Sequence, residues 1–142
     1  MSQYANYTVA SDDYDKTRAA VGVDTILSCL ARTSVPLGNQ TVLEAGCGTG
    51  NYLEALRPHL RVLSGIDFCE GMLSQARTKI GDDVELTCGS ILDMPYKDER
   101  FDGITCNQVI HHLDEGPNVS DDPVDWKPCS YPNVTQFIQE AY

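Results

Sequence analysis

The sequence predicts an α/β protein with a parallel sheet covered by helices on both faces, and three observations carry that prediction. Short apolar segments alternate with helical ones through the middle of the chain, and such alternation indicates parallel strands joined by crossovers. A glycine-rich turn, Gly46 to Gly50, joins the first strand to the helix after it, where backbone must pass close to something. Pro58 and Gly81 sit where the two crossover helices should stop.

Taken in order, residues 1 to 20 are polar, and Ile26, Leu27, Leu30 and Ala31 then recur at helical spacing. Val35 to Asn39 breaks that helix, so residues 1–40 are expected to form an N-terminal helical cap. Residues 41–142 are expected to form the α/β domain. Its first strand spans Thr41 to Ala45 and is followed by the turn and a helix to about Arg57. A second strand, Arg61 to Ile66, and a helix from Glu70 to Lys79 repeat the grammar. Val84 to Cys88 and Phe101 to Cys106 read as the third and fourth strands. Residues 114–132 are acidic and proline-rich, the mark of a long loop, and Val134 to Tyr142 reads as an amphipathic helix with Val134, Phe137, Ile138 and Ala141 on one face.

Composition narrows the function classes. In 142 residues the formal net charge is −11 and the ten basic residues are scattered, which disfavours a nucleic-acid backbone or an anionic membrane surface as partner. No apolar run approaches the ~20 residues that span a bilayer, and the first residues resemble no secretory signal, so a cytoplasmic protein is expected. Six cysteines, 18 to 23 positions apart with no CxxC pair, signal neither zinc nor a disulfide frame, and no metal is expected. Cys47, Cys88 and Cys106 fall at strand ends, where thiols usually act as small buried hydrophobes. The Asn-x-Ser/Thr triplets at Asn6, Asn39, Asn118 and Asn133 would matter only in a secreted chain.

The glycine turn separates two ligand classes. A dinucleotide loop, GxGxxG counted from Gly46, needs glycine at position 51, and this chain has Asn51. The observed spacing is GxGxG, with the carboxylate of Glu44 two residues before it. Asp67 ends the next strand 17 positions after Gly50, suited to accept hydrogen bonds from both hydroxyls of a ribose.

This E-x-G-x-G-x-G order, and the run D-F-C-E-G-M-L-S-Q-A-R from Asp67 to Arg77, resemble class I methyltransferases that use S-adenosylmethionine. Cys69 stands where that family usually has serine. Gly89 to Tyr96, the Phe101-Asp102 strand start and Thr105 to Leu113 extend the likeness, which covers residues 41–113 and, with the Pro132 to Tyr142 tail, resumes at 133–142. The resemblance implies a Rossmann-like parallel sheet and S-adenosylmethionine as cofactor. The residues it implies for cofactor binding are Glu44, Ala45, Gly46, Cys47, Gly48, Gly50, Asp67, Phe68, Met72, Ser90, Ile91 and Asn107. Ser90 replaces the family's usual aspartate near the adenine amino group, exchanging a charged acceptor for a hydroxyl.

Methyl transfer from a sulfonium is an in-line displacement on an activated donor, so positioning and exclusion of water dominate its catalysis. A general base is needed only where the acceptor must lose a proton, and His112 is the candidate. Adjacent His111 and His112 point different ways and do not readily share a metal. Tyr14 and Arg18 fall where relatives place a helix over the cofactor. The expected acceptor is a small molecule bound over Asn107 to Leu113.

The family's helix continues into an R-V-L-x-P-G-G strand, which does not follow Tyr142 here. The expectation is therefore a fold with its C-terminal strands missing and an open fourth-strand edge: either a fragment of a longer enzyme, or a chain whose edge is covered by a partner chain or by self-association. Two rival readings remain open at this point. One is a cofactor-binding module without catalysis; the other is an NAD-dependent oxidoreductase of similar topology.

Overall fold

The computed structural model describes residues 19–109, 136 and 139–141. Helix α1 is Val23–Leu30, strand β1 Thr41–Ala45, helix α2 Asn51–Leu56, strand β2 Val62–Asp67, helix α3 Glu70–Ile80, strand β3 Glu85–Cys88 and strand β4 Gly103–Thr105. All strand pairs are parallel, in the order β3-β2-β1-β4. The strand alternation read from the sequence is therefore present, with shifted bounds. β2 begins and ends one residue later than expected, and only three of the six residues from Phe101 to Cys106 pair as β4.

Connection handedness explains the two layers. The steps β1-α2-β2 and β2-α3-β3 move the same way across the sheet, so right-handed crossovers place both helices on one face. The return from β3 past β2 and β1 to β4 runs the opposite way, and the same handedness puts residues 89–102 on the other face. The cores follow this division. Val42 and Leu63 pack with Leu30, Leu53, Leu56, Leu73, Ile80 and Val84 from the helices and their ends. Leu43, Ala45 and Ile66 pack with Ile91, and with the partly buried Leu92, Met94, Tyr96 and Phe101. Gln136, one of the described helical residues, donates its amide to the Leu92 carbonyl at 2.8 Å, so the second face also carries helix.

Each element has a local cause. Alternation along β1 sends Val42 and Glu44 to one face and Leu43 and Ala45 to the other, and all four are buried because the strand is central. Burying a leucine such as Leu43 or Leu53 stabilises by about 2 kcal/mol. α3 carries Glu70 in its first turn and Arg77 and Lys79 in its last, matching the helix dipole, and stops at Gly81, whose φ of 70° suits glycine. The Arg57 guanidinium donates to the Ile80 carbonyl at 2.8 Å and pairs with Asp83. Pro58 does not end the helix abruptly: α2 stops at Leu56, and a 3-10 turn, Arg57–His59, holds the proline in its first positions, where no N–H is needed.

Two close approaches position α1 and β4. A Cβ at Gly103 would lie 2.7 Å from Leu30 Cδ2, so α1 reaches β4 only over a glycine. Gln40, fully buried, donates its amide to the carbonyls of Leu30 at 2.9 Å and Val35 at 2.6 Å and to Thr33 Oγ1 at 2.9 Å, tying the end of α1 to the start of β1. α1 thus shares its core with the sheet.

The thiol expectation needs one correction. Cys47 is buried and Cys106 half-buried, but Cys88 is exposed, because β3 is an edge strand in the described sheet and its end is uncovered.

Candidate cofactor site

The strand order reverses between β1 and β4, and in open parallel sheets ligands bind beyond the carboxyl ends of the strands at such a switch point. Four segments meet there: the glycine loop after β1, Asp67 and Phe68 after β2, Gly89 to Ile91 after β3, and Cys106 to Val109 after β4.

The loop is fixed by backbone bonds that leave one face open. Gly46 and Cys47 donate to the Ile66 carbonyl at 2.8 and 3.0 Å, and Gly50 donates to the Cys47 carbonyl at 2.9 Å. Gly46, Gly48 and Gly50 have φ of 74°, 53° and 85°, a region that favours glycine. Their surroundings differ. A Cβ at Gly46 would meet Val109 at 2.5 Å and one at Gly50 would meet Ala76 at 3.2 Å, whereas one at Gly48 would meet nothing within 4 Å. Two of the glycines therefore serve packing, and Gly48 faces open space.

Asp67 closes the rim of that space. Its Oδ2 accepts from the Gly48 N–H at 2.9 Å and its Oδ1 from the Cys69 N–H at 2.9 Å. Partial burial pushes its carboxyl above the ordinary aspartate range, and backbone donors at Cys69, Gly48 and Phe68 oppose that rise. Each oxygen keeps acceptor capacity for a further donor. Phe68 is 56% exposed beside it, an unusual position for a large apolar ring.

Glu44 lies beneath the loop, 1% exposed. Its register partner in β4 is Thr105, whose hydroxyl donates to the Glu44 carboxylate, and the Asn107 amide lies 3.1 Å from each carboxylate oxygen. Desolvation raises the Glu44 carboxyl from 4.5 to about 7, against the lowering effect of Thr105 and Asn107. Glu44 is thus a buried hub joining β1 to the turn after β4. The thiols of Cys47 and Cys106 are also pushed up by burial, and next by neighbouring carboxylates, which keeps both protonated and unsuited to nucleophilic attack.

The other expected residues divide by exposure. Ala45, Met72 and Ile91 are buried, and Ile91 belongs to the core of the second face. Ser90 is exposed, and its hydroxyl accepts the Leu92 N–H at 3.1 Å in a local turn. The Asn51 side chain, which excluded a dinucleotide spacing, accepts a hydrogen bond from Lys79 and joins α2 to the last turn of α3. His111, His112, Tyr14, Arg18 and the loop 114–132 lie outside the described residues. Among the described residues no group of His, Cys, Asp and Glu is arranged to hold a metal, and no helix is long and apolar enough to cross a membrane.

The sequence reading missed Thr105, Gln40 and the hydroxyl of Tyr52. Thr105 had a signal in principle, being placed like Asn107 near the end of a strand, but its pairing with Glu44 depends on strand order. Gln40 acts through side-chain bonds back to the end of α1, and Tyr52 through a long-range bond to Val21, neither of which a residue period announces.

Comparison with known proteins agrees with this geometry. A family model described as a methyltransferase domain matches residues 43–122. An uncharacterized methyltransferase of Geobacillus sp. strain WCH70 is 31% identical over 110 residues, covering 76% of this chain and 50% of the relative. The demethylmenaquinone methyltransferase of Clavibacter sepedonicus is 32% identical over 116 residues, covering 78% and 47%. The chain thus spans about half the length of the curated relatives it matches. A solved structure, magnesium protoporphyrin IX methyltransferase of Synechocystis PCC 6803 with bound SAM, shares the fold at TM-score 0.65 and 16% identity, over 96% of this chain and 67% of that one. With its glycine loop, its paired acidic residue and its four parallel strands all inside or beside the matched span, the chain belongs to the methyltransferase-domain family of class I, S-adenosylmethionine-dependent enzymes.

Proposed function

We propose that this chain binds S-adenosylmethionine across the carboxyl ends of β1, β2 and β4 and serves methyl transfer to a small-molecule acceptor. The observation that carries the reading is the open side of Gly48 next to the Asp67 carboxylate, where a nucleoside can approach the backbone and a ribose can find an acceptor. Gly46, Cys47 and Gly48 would line the amino-acid tail and ribose, Asp67 would accept from the ribose hydroxyls, and the exposed Phe68 with Ser90 and Ile91 would flank the purine. The bound cofactor would supply a sulfonium methyl group. The chain's own work is then to orient and to exclude water, tasks suited to a rigid loop over a packed core. Glu44, buried and occupied by Thr105 and Asn107, holds the two sides of the site in register and does not reach an acceptor directly.

A small-molecule acceptor is supported by relatives named for quinone pathways, a demethylmenaquinone methyltransferase and a ubiquinone biosynthesis O-methyltransferase, and by a neighbour named for a porphyrin. The general-base role of His112 and the contact of Met72 with the cofactor remain part of the proposal. So does the cytoplasmic setting, which the unpaired thiols of the described cysteines favour.

Calorimetric titration of the 142-residue chain separates the readings. S-adenosylmethionine is expected to bind and NAD is not; the reverse order would overturn the proposal in favour of an oxidoreductase. Binding without methyl transfer to any quinol, porphyrin or sugar tested would reduce it to a cofactor-binding module.

A further inference from the structure

Tyr52, in the first turn of α2 directly after the glycine loop, has a hydroxyl with every bonding position used. It donates to the Val21 carbonyl at 3.1 Å and accepts from the Val21 N–H at 3.2 Å and from the Gln108 side-chain amide at 3.3 Å. A phenol offers one donor and two acceptor sites, so this is its complete set. The three bonds join regions distant in sequence: the segment that leads into α1, the start of α2, and the turn after β4.

Val21 is 69% exposed, so apolar burial does not anchor the segment, and Gly22, which precedes α1, has φ 73° and gives no side-chain cap. Gln108 has φ 58°, a conformation uncommon for a non-glycine residue and maintained only where surroundings impose it. Its neighbours provide that surrounding: Asn107 bonds Glu44 beneath the loop, and Val109 fills the space over Gly46. This turn thus reaches β1 through Asn107, α2 through Gln108 and Gly46 of the loop through Val109, and Tyr52 ties the α1 segment to it.

We propose that Tyr52 is a positioning residue whose hydroxyl locks the segment before α1 and the 107–109 turn together beside the glycine loop, and that cofactor binding depends on this lock. The second half of the proposal rests on the S-adenosylmethionine reading above; the first does not.

The test uses Tyr52→Phe, which keeps the ring against the core and removes all three bonds, together with Gln108→Ala and the double variant. In ligand-free protein the Val21 amide should exchange about 10-fold faster in Tyr52→Phe than in wild type. Titration should show S-adenosylmethionine binding about 10-fold weaker in each single variant, and the double variant no weaker than Tyr52→Phe alone. An unchanged Val21 exchange rate would overturn the lock. Wild-type affinity in Tyr52→Phe, or full additivity in the double variant, would overturn its coupling to the cofactor. If wild type binds no S-adenosylmethionine, the functional reading fails, and the exchange rate alone decides the lock.

Discussion

The amide of Asn107 sits 3.1 Å from both oxygens of the Glu44 carboxyl, bracing the turn after β4 against the strand that carries the glycine loop. Because this carboxyl is buried, the bracing has a pH signature. Its folded value, about 7, lies above the ordinary 4.5, so the folded state retains a proton that the unfolded chain releases. Stability from this group is therefore complete below about pH 4.5, declines as pH rises through about 7, and is then level. The loss is at most about 3 kcal/mol. Glu44→Gln cannot titrate, so the difference in urea-unfolding free energy between it and wild type should vary across pH 4.5 to 7. A constant difference would show that Glu44 titrates normally in the fold.

Asp67 is expected to matter more for ligand than for fold. Asp67→Asn keeps one acceptor oxygen for the loop but loses the charge and one acceptor position, and S-adenosylmethionine affinity should fall about 10- to 100-fold. Titration calorimetry alongside a melting curve checks both parts. Equal affinity in the variant would remove Asp67 from the site.

Gly46 and Gly48 should respond differently to substitution. Gly46→Ala forces a Cβ to within 2.5 Å of Val109 at a left-handed φ, and should cost about 2 kcal/mol or more. Gly48→Asn has open space and a backbone conformation that asparagine tolerates, so its cost should stay below about 1 kcal/mol. Its side chain would enter the space assigned to ligand and abolish binding. Denaturant titrations of the two variants, with and without S-adenosylmethionine, distinguish a glycine that packing also requires from one that only the ligand requires.

Gly103→Ala tests the seat of α1. The added methyl meets Leu30 Cδ2 at 2.7 Å, and a loss of about 1 to 3 kcal/mol is expected. Leu30→Ala removes the obstructing atoms, so the double variant should be less destabilised than the two single losses added together. Strict additivity in unfolding experiments would mean that the contact carries no strain.

Much of this architecture was legible because it is local. Apolar segments located β1 and α3, Gly81 marked the end of a helix, and the loop spacing with Asp67 pointed to the site proposed above. What escaped was what strand order creates. Thr105 becomes a partner of Glu44 only because β4 lies beside β1, which no sequence period encodes. Cys88 looked like a buried strand-end thiol because strand position, central or edge, is also absent from local pattern. The shortness of β4 has the same origin: only Gly103–Thr105 pairs in register with β1, although the segment expected as a strand runs from Phe101 to Cys106.

The reversal of strand order sets a timetable for folding. Pairing of β1 with β2 and of β2 with β3 joins residues about twenty positions apart, as in Thr41 with Val62 and Ser64 with Glu85. Pairing of β1 with β4 joins Val42 to Gly103, about three times as far, and such distant closures are slow. The glycine loop and Asp67 are therefore expected to assemble early, and Thr105 and Asn107 late. Thr105→Val should accordingly hasten unfolding and leave the refolding rate nearly unchanged, which stopped-flow measurement would show. On that expectation a nascent chain would form the glycine loop and Asp67 before the turn that packs over them.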